Sequence, residues 1–308
     1  MMDLLLKAGA DPTAVDPNGR TLLEDTAMFG SGTMVQRLVD ALKQVQCHGD
    51  RSVNSSGISQ RRRDRSLQSA IYNGDERAAR ILLDYGANPS SAGENGTTPL
   101  VASADDGCEN LINMLLDRGA DPLPCDRFGM SATRYAVQSG CSWGVTRKLY
   151  QAVLDAGGDI TAASPSSGGP TALLSFAERG CLPAVKFLLS HKVVTDTQSV
   201  ATALHLALYN YPSDPVSYEE VCRLLIKEIN VVNEEFGHTL HVLEPVAGGG
   251  TSLHLAAQTG SDTLVQLLLS SGVDDSVLDN EGRSALDIAK LEGHDGIAKL
   301  LSEKENLN

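Results

Sequence analysis

The chain has 308 residues, 42% of them apolar and only 4% aromatic, and carries a formal net charge of −14. That charge argues against nucleic acid, whose phosphates need a basic stripe, and no apolar run approaches the ~18 residues of a membrane span. The start, MMDLLLKAGADP, lacks a basic region followed by a long apolar run, so no secretory signal is read. The expectation is a monomeric, cytoplasmic protein with reduced cysteines, no cofactor and no metal.

From the N-terminus, residues 1–15 hold only a second-helix pattern, LLLKAGADP, which reads as a half unit. Helix-pair units then follow at about 16–63, 64–96, 97–129, 130–169, 170–200, 201–249, 250–282 and 283–308. They align on Gly30, Gly74, Gly107, Gly140, Gly180, Gly260 and Gly293. The steps from Gly74 to Gly107, Gly107 to Gly140 and Gly260 to Gly293 are each 33 residues, a repeat-protein period. Thr21, Thr98, Ser131, Thr171, Thr202, Thr251 and Ser284 are the predicted N-caps of the first helices, each offering an oxygen to an orphan backbone N–H. The unit starting at Arg65 has none. Two residues after each start a Leu points to the core, except in the fourth unit, where Thr133 stands. Gly86, Gly119, Gly157 and Gly272 are read as ends of second helices, where a left-handed residue costs least without a Cβ.

Three departures interrupt the period. Residues 47–65, polar, Ser-rich and basic at the end, read as a long flexible loop. Its Arg61, Arg62, Arg63 and Arg65 suggest a nuclear-import signal, a contact for an acidic partner, or simply a solvated loop end. In the fourth unit, GVTRKLYQAVLDAGG predicts a second helix one turn longer than its neighbours, followed by a loose SPSSGGP hairpin. In the sixth, two prolines in NYPSDPVSYEE lengthen the inter-helix turn, and VVNEEFGHTLHVLEPVAGGG enlarges the next hairpin. His238, His241 and Glu244 are three apart there, but H-E-x-x-H is absent, and GGGTS lacks the GK[ST] of a phosphate loop.

TTPLVASADDG followed by NLINMLLDRGADP, and TSLHLAAQTG followed by LVQLLLSSGVDD, resemble the ankyrin repeat, with its T-P-L-H-x-A-A start and L-L-x-x-G-A-D finish. The resemblance covers nearly the whole chain. It implies an all-α solenoid of stacked helix-turn-helix units joined by hairpin loops, and a role in binding proteins. It also makes His205 and His254 the motif histidines that hydrogen-bond within and between repeats. A histidine that recurs with its repeat points to structure rather than to catalysis.

A partner is expected on the concave surface formed by hairpin tips and first helices. In the fourth unit, Tyr135, Gln138 and Ser139 share a helix face, and the tip DRFGM adds Arg127, Phe128 and Met130. An exposed aromatic beside an arginine is the composition of binding hot spots; the other reading of Phe128 packs it onto the next hairpin as core. Matching positions are Glu94, Asn95, Asp105 and Asp106 on one side and Glu178 and Arg179 on the other, with Tyr209 and Tyr211 further along. The leading expectation is a non-enzymatic scaffold or adaptor. A second is the recognition segment of a larger protein, such as a ubiquitin-ligase adaptor, channel or enzyme, because the chain begins halfway through a unit. A third is an enzyme using His238, His241 or Glu244, against which no nucleophile, base and orienting group stand at recognisable spacing.

Overall fold

The computed structural model describes residues 8, 10–48, 58–93, 95–158, 160, 172–191, 197–236 and 250–305. Two compact units divide the chain, residues 1–167 and 168–308. Among the described residues there is no β-strand, only two isolated antiparallel bridges, Val15 with Thr21 and Cys125 with Ser131, which close the hairpins ahead of first helices.

In the first unit the helices come in pairs: α1 (Leu22–Phe29) with α2 (Gly32–His48), α3 (Gln60–Tyr72) with α4 (Glu76–Asp84), α5 (Pro99–Asp105) with α6 (Glu109–Asp117), and α7 (Ala132–Gln138) with α8 (Trp143–Asp155). The first helices of successive pairs pack side by side, α1 on α3, α3 on α5 and α5 on α7. The second helices do the same, α2 on α4, α4 on α6 and α6 on α8. Two helical layers result, and the core lies between them. Its largest fully buried side chains include Leu23, Leu67 and Leu100, the leucines two residues into their units, joined by Leu82, Leu111 and Leu115 from second helices.

The second unit repeats the plan: α9 (Ala172–Glu178) with α10 (Leu182–Ser190), α11 (Thr197–Asn210) with α12 (Pro215–Phe236), α13 (Ser252–Thr259) with α14 (Asp262–Ser270), and α15 (Ala285–Leu291) with α16 (Asp295–Glu305). First helices α9, α11, α13 and α15 stack in order, as do α10, α12, α14 and α16. Helices of seven to nine residues, such as α9, α10 and α13, are marginal alone in water, so burial between layers supplies most of their stability.

Local chemistry explains where several first helices start. Thr21, Thr98, Ser131 and Ser284 accept hydrogen bonds from the backbone N–H three residues on, at 3.2–3.3 Å. Glu24 and Asp287 return the bond to the cap backbone, completing capping boxes. Pro99 takes the first helical position, where its missing donor is harmless. Of the seven glycines that set the period, all but Gly30 adopt a positive φ, from 63° to 78°, and so end first helices in the left-handed region.

The fourth pair behaves as its length predicts: α8 has 13 residues against nine in α6 and α10, one additional turn. Elsewhere helix extends beyond the sequence expectation. The basic cluster is not loop: Arg61, Arg62, Arg63 and Arg65 lie on α3, which crosses the boundary drawn after residue 63. Long-range bonds hold those first turns, since Asp64 Oδ1 accepts from the Asn88 N–H at 2.7 Å and Gln60 Nε2 donates to the Gly86 carbonyl at 2.9 Å. The Arg63 guanidinium also sits 5.6 Å from the Tyr85 ring centroid.

Thr202 is likewise not a cap. With no breaker in TQSV, α11 starts at Thr197, and the Thr202 hydroxyl donates to the Gln198 carbonyl inside the helix at 2.8 Å. VVNEEF is helical as well, continuing α12 to Phe236 because neither Gly nor Pro stands between Pro215 and residue 237. The two prolines do break the helix ahead of it, through a 3₁₀ turn at Tyr211–Ser213, and Pro215 opens α12. Thr171 lies outside the described residues, as do most of the 1–15 half unit, the SPSSGGP hairpin and the trio His238, His241 and Glu244.

Candidate protein-interaction surfaces

The two motif histidines are both buried and both spoken for. His254 Nδ1 accepts from the Thr251 N–H at 3.2 Å, leaving its Nε2–H to donate to the Arg283 carbonyl of the next hairpin at 3.0 Å. His205 takes the opposite tautomer, with Nδ1–H donating to the Ala201 carbonyl at 3.1 Å and Nε2 accepting from the Ser252 hydroxyl at 3.1 Å. Burial lowers the His205 pKa below its ordinary value, against the contribution of the Ala201 bond. The α11–α13 and α13–α15 junctions are thus stitched by neutral imidazoles, and neither ring offers a free nitrogen for chemistry.

In the first unit the tip at 126–130 is rigidly built. Asp126 accepts from the Phe128 and Met130 N–H groups at 2.8 and 3.0 Å, and the Tyr135 hydroxyl donates to its other oxygen at 2.8 Å. Burial and that carboxylate push the Tyr135 hydroxyl up to about 12. Arg127 reaches back to the preceding hairpin, donating from its backbone and its guanidinium to Asn95 at 3.2 and 3.0 Å. The guanidinium also lies 4.7 Å from the Phe128 ring centroid. Phe128 is 59% exposed, so of its two readings the packed-core one fails.

Other expected contact residues divide by burial. Asp105, Asp106, Gln138, Glu178 and Arg179 are exposed at the ends of α5, α7 and α9. Ser139 is committed to stacking, donating to the carbonyls of Ala104 and Asp105 at 2.9 and 2.8 Å. Met130 is only 8% exposed and belongs to the core, because the Asp126 turn folds it under the tip. Tyr209 is 75% exposed while Tyr211 is 6% exposed, the 3₁₀ turn between α11 and α12 directing Tyr211 inward, where its hydroxyl donates to Glu219 at 2.9 Å. Glu94 lies outside the described residues.

Two grooves went unanticipated. One, of about 760 Å³, lies over α1, α3 and α5 of the first unit and includes Asp25, Met28, Arg65, Tyr72, Asp105 and Asp106. The other, of about 340 Å³, lies over α11, α13 and α15 of the second, with Leu206, Leu255 and Ile288 as its apolar lining and Tyr209 on its wall. Register supplies a signal that reaches the first: Tyr72 stands two residues before Gly74, as Asp105 does before Gly107 and Gln138 before Gly140.

The family model for ankyrin repeats matches three times, at residues 67–162, 135–235 and 232–308. The chain belongs to the ankyrin-repeat family. Ankyrin repeats are protein-interaction modules, which makes the exposed ends of first helices and the hairpin tips the surfaces of interest. XBAT34 of Arabidopsis thaliana, named among the E3 ubiquitin-protein ligases, is 36% identical over 67 residues, covering 22% of this chain and 18% of that protein. XBOS34 of Oryza sativa subsp. japonica, also named among the E3 ubiquitin-protein ligases, is 33% identical over 81 residues, 26% of this chain and 16% of that protein. The match therefore spans less than a fifth of either relative. Among the described residues of this ankyrin-repeat chain, no helix is long and apolar enough to cross a membrane, and no group of three or more His, Cys, Asp or Glu is placed to hold a metal ion.

Proposed function

We propose that this ankyrin-repeat chain is a non-enzymatic scaffold or adaptor that holds a protein partner on its hairpin tips and first-helix ends. The observation that carries the reading is the Phe128 tip. An aromatic ring 59% exposed is fixed by the Asp126 turn and by an arginine anchored to the neighbouring hairpin. Such a ring binds at little entropic cost because its position is already set. Asp105, Asp106 and Gln138 extend that surface, and Glu178, Arg179 and Tyr209 provide a counterpart in the second unit.

The test is affinity capture from lysate with the full chain and a Phe128→Ala variant. Removing an exposed ring should leave the urea midpoint unchanged and lose the captured protein; equal capture by both folded forms would remove Phe128 from the interface. A second reading, favoured by the names of the two relatives, is that the chain recognises substrates for ubiquitin transfer. Incubating the full-length cellular protein with the captured partner, ubiquitin, activating enzyme and a panel of conjugating enzymes should then modify the partner. An unmodified partner across the panel would leave the scaffold reading alone.

A further inference from the structure

The groove of the first unit has a rim of uneven charge. Asp25 on α1 and Asp105 and Asp106 at the end of α5 stand against Arg65 on α3. Arg20, which also borders it, is engaged with Asp16 at 3.6 Å, and Glu24 is buried with its carboxylate on the Thr21 N–H. Burial first, and then the neighbouring Asp106 and Asp126 carboxylates, raise the pKa of Asp105. Met28, half-buried, and Tyr72, 83% exposed, line the same groove. Carboxylates sharing a groove with an exposed aromatic ring complement a guanidinium or ammonium group, through charge and through the ring quadrupole. The same carboxylates repel phosphate and acidic peptides.

We infer that this groove docks an extended cationic segment of a partner protein, in which an arginine or lysine beside a bulky apolar residue sets its charge against Asp105 and Asp106 and its apolar side chain against Met28 and Tyr72. The inference rests on the protein-recognition reading above and adds the chemistry of the partner.

It is tested with the full chain and fluorescein-labelled, Gly/Ser-flanked decapeptides whose central pair is Arg-Leu, Lys-Phe, Gln-Leu or Glu-Leu, read by fluorescence anisotropy. Arg-Leu and Lys-Phe should bind, Gln-Leu more weakly, and Glu-Leu least. Asp105→Asn/Asp106→Asn should weaken Arg-Leu binding by about tenfold, and Tyr72→Ala should weaken it as well. The charge-matched pair Asp117→Asn/Asp155→Asn, exposed and outside the groove, should change it less than about twofold. Circular dichroism confirms that each variant is folded. Equal binding of Arg-Leu and Glu-Leu, or equal losses from the two double variants, would overturn the inference. A random decapeptide array separates the two levels of the claim. Retention of peptides of other chemistry, insensitive to Asp105→Asn/Asp106→Asn, refutes the cationic partner and leaves the recognition reading standing. Retention of no peptide by a chain that also captures nothing from lysate refutes both.

Discussion

His254 shows how a residue that invites a catalytic reading is absorbed by structure. Its two nitrogens join its own helix start to the following hairpin, so His254→Ala leaves a buried N–H and a carbonyl without partners as well as a void. Each unsatisfied buried group costs about 1–3 kcal/mol, and the expected loss is about 2–4 kcal/mol, read from the urea midpoint at neutral pH. His205 adds a pH dependence. Its pKa is lower in the folded chain, so the unfolded chain takes up the proton first. The corresponding stability is complete above the ordinary imidazole value of about 6.5 and is lost as pH falls through it toward the folded value. Urea melts at pH 7.5 and 5.5 should show this loss in the wild type and a smaller one in His205→Gln, whose side-chain oxygen can still accept from Ser252. An equal loss in both would assign the pH effect elsewhere.

Helix α3 shows what an element owes to its neighbours. Its first turns are polar and basic, with no side-chain cap at Ser59, and in isolation they read as loop. They are helical because Asp64 accepts the Asn88 N–H, Gln60 reaches Gly86, and Arg63 lies over Tyr85. Asp64→Ala should therefore fray α3 back toward Arg65. About 1–2 kcal/mol of stability should be lost, with faster amide hydrogen exchange confined to residues 60–66; unchanged exchange there would show that the turns stand without the tether. The arginines also part ways, since Arg61 and Arg65 are exposed while Arg63 is half-buried. The extra turn of α8 was legible because amphipathic spacing simply continues through TRKLYQAVLD, whereas the tether of α3 joins residues 24 apart.

The whole molecule is strongly acidic, with 39 Asp and Glu against 25 Lys and Arg. A cationic partner is therefore drawn from beyond contact distance, and its association weakens with salt. Raising sodium chloride from about 0.1 M to about 1 M shortens the screening length from about 10 Å to about 3 Å. Affinity for the captured partner should fall steeply across that range if the first-unit groove is used. Salt-independent binding would instead indicate the apolar groove over α11, α13 and α15.

The helix-pair period, the capping hydroxyls at Thr21, Thr98, Ser131 and Ser284, and the leucines two residues after the start of every unit but the fourth could be read from the chain alone. Each depends on a handful of consecutive residues and a short-range hydrogen bond or helical spacing. Packing decided the rest. Tyr209 and Tyr211 lie two positions apart and end on opposite sides of the surface because a 3₁₀ turn reorients the second; Met130 and Phe128 part in the same way around the Asp126 turn. The grooves follow the same logic, since Asp25, Tyr72 and Asp105 are separated by more than 30 residues along the chain. They become neighbours only when α1, α3 and α5 stack; the shared register of Tyr72 and Asp105 ahead of Gly74 and Gly107 points to part of that juxtaposition, whereas Asp25, five residues before Gly30, falls outside the register.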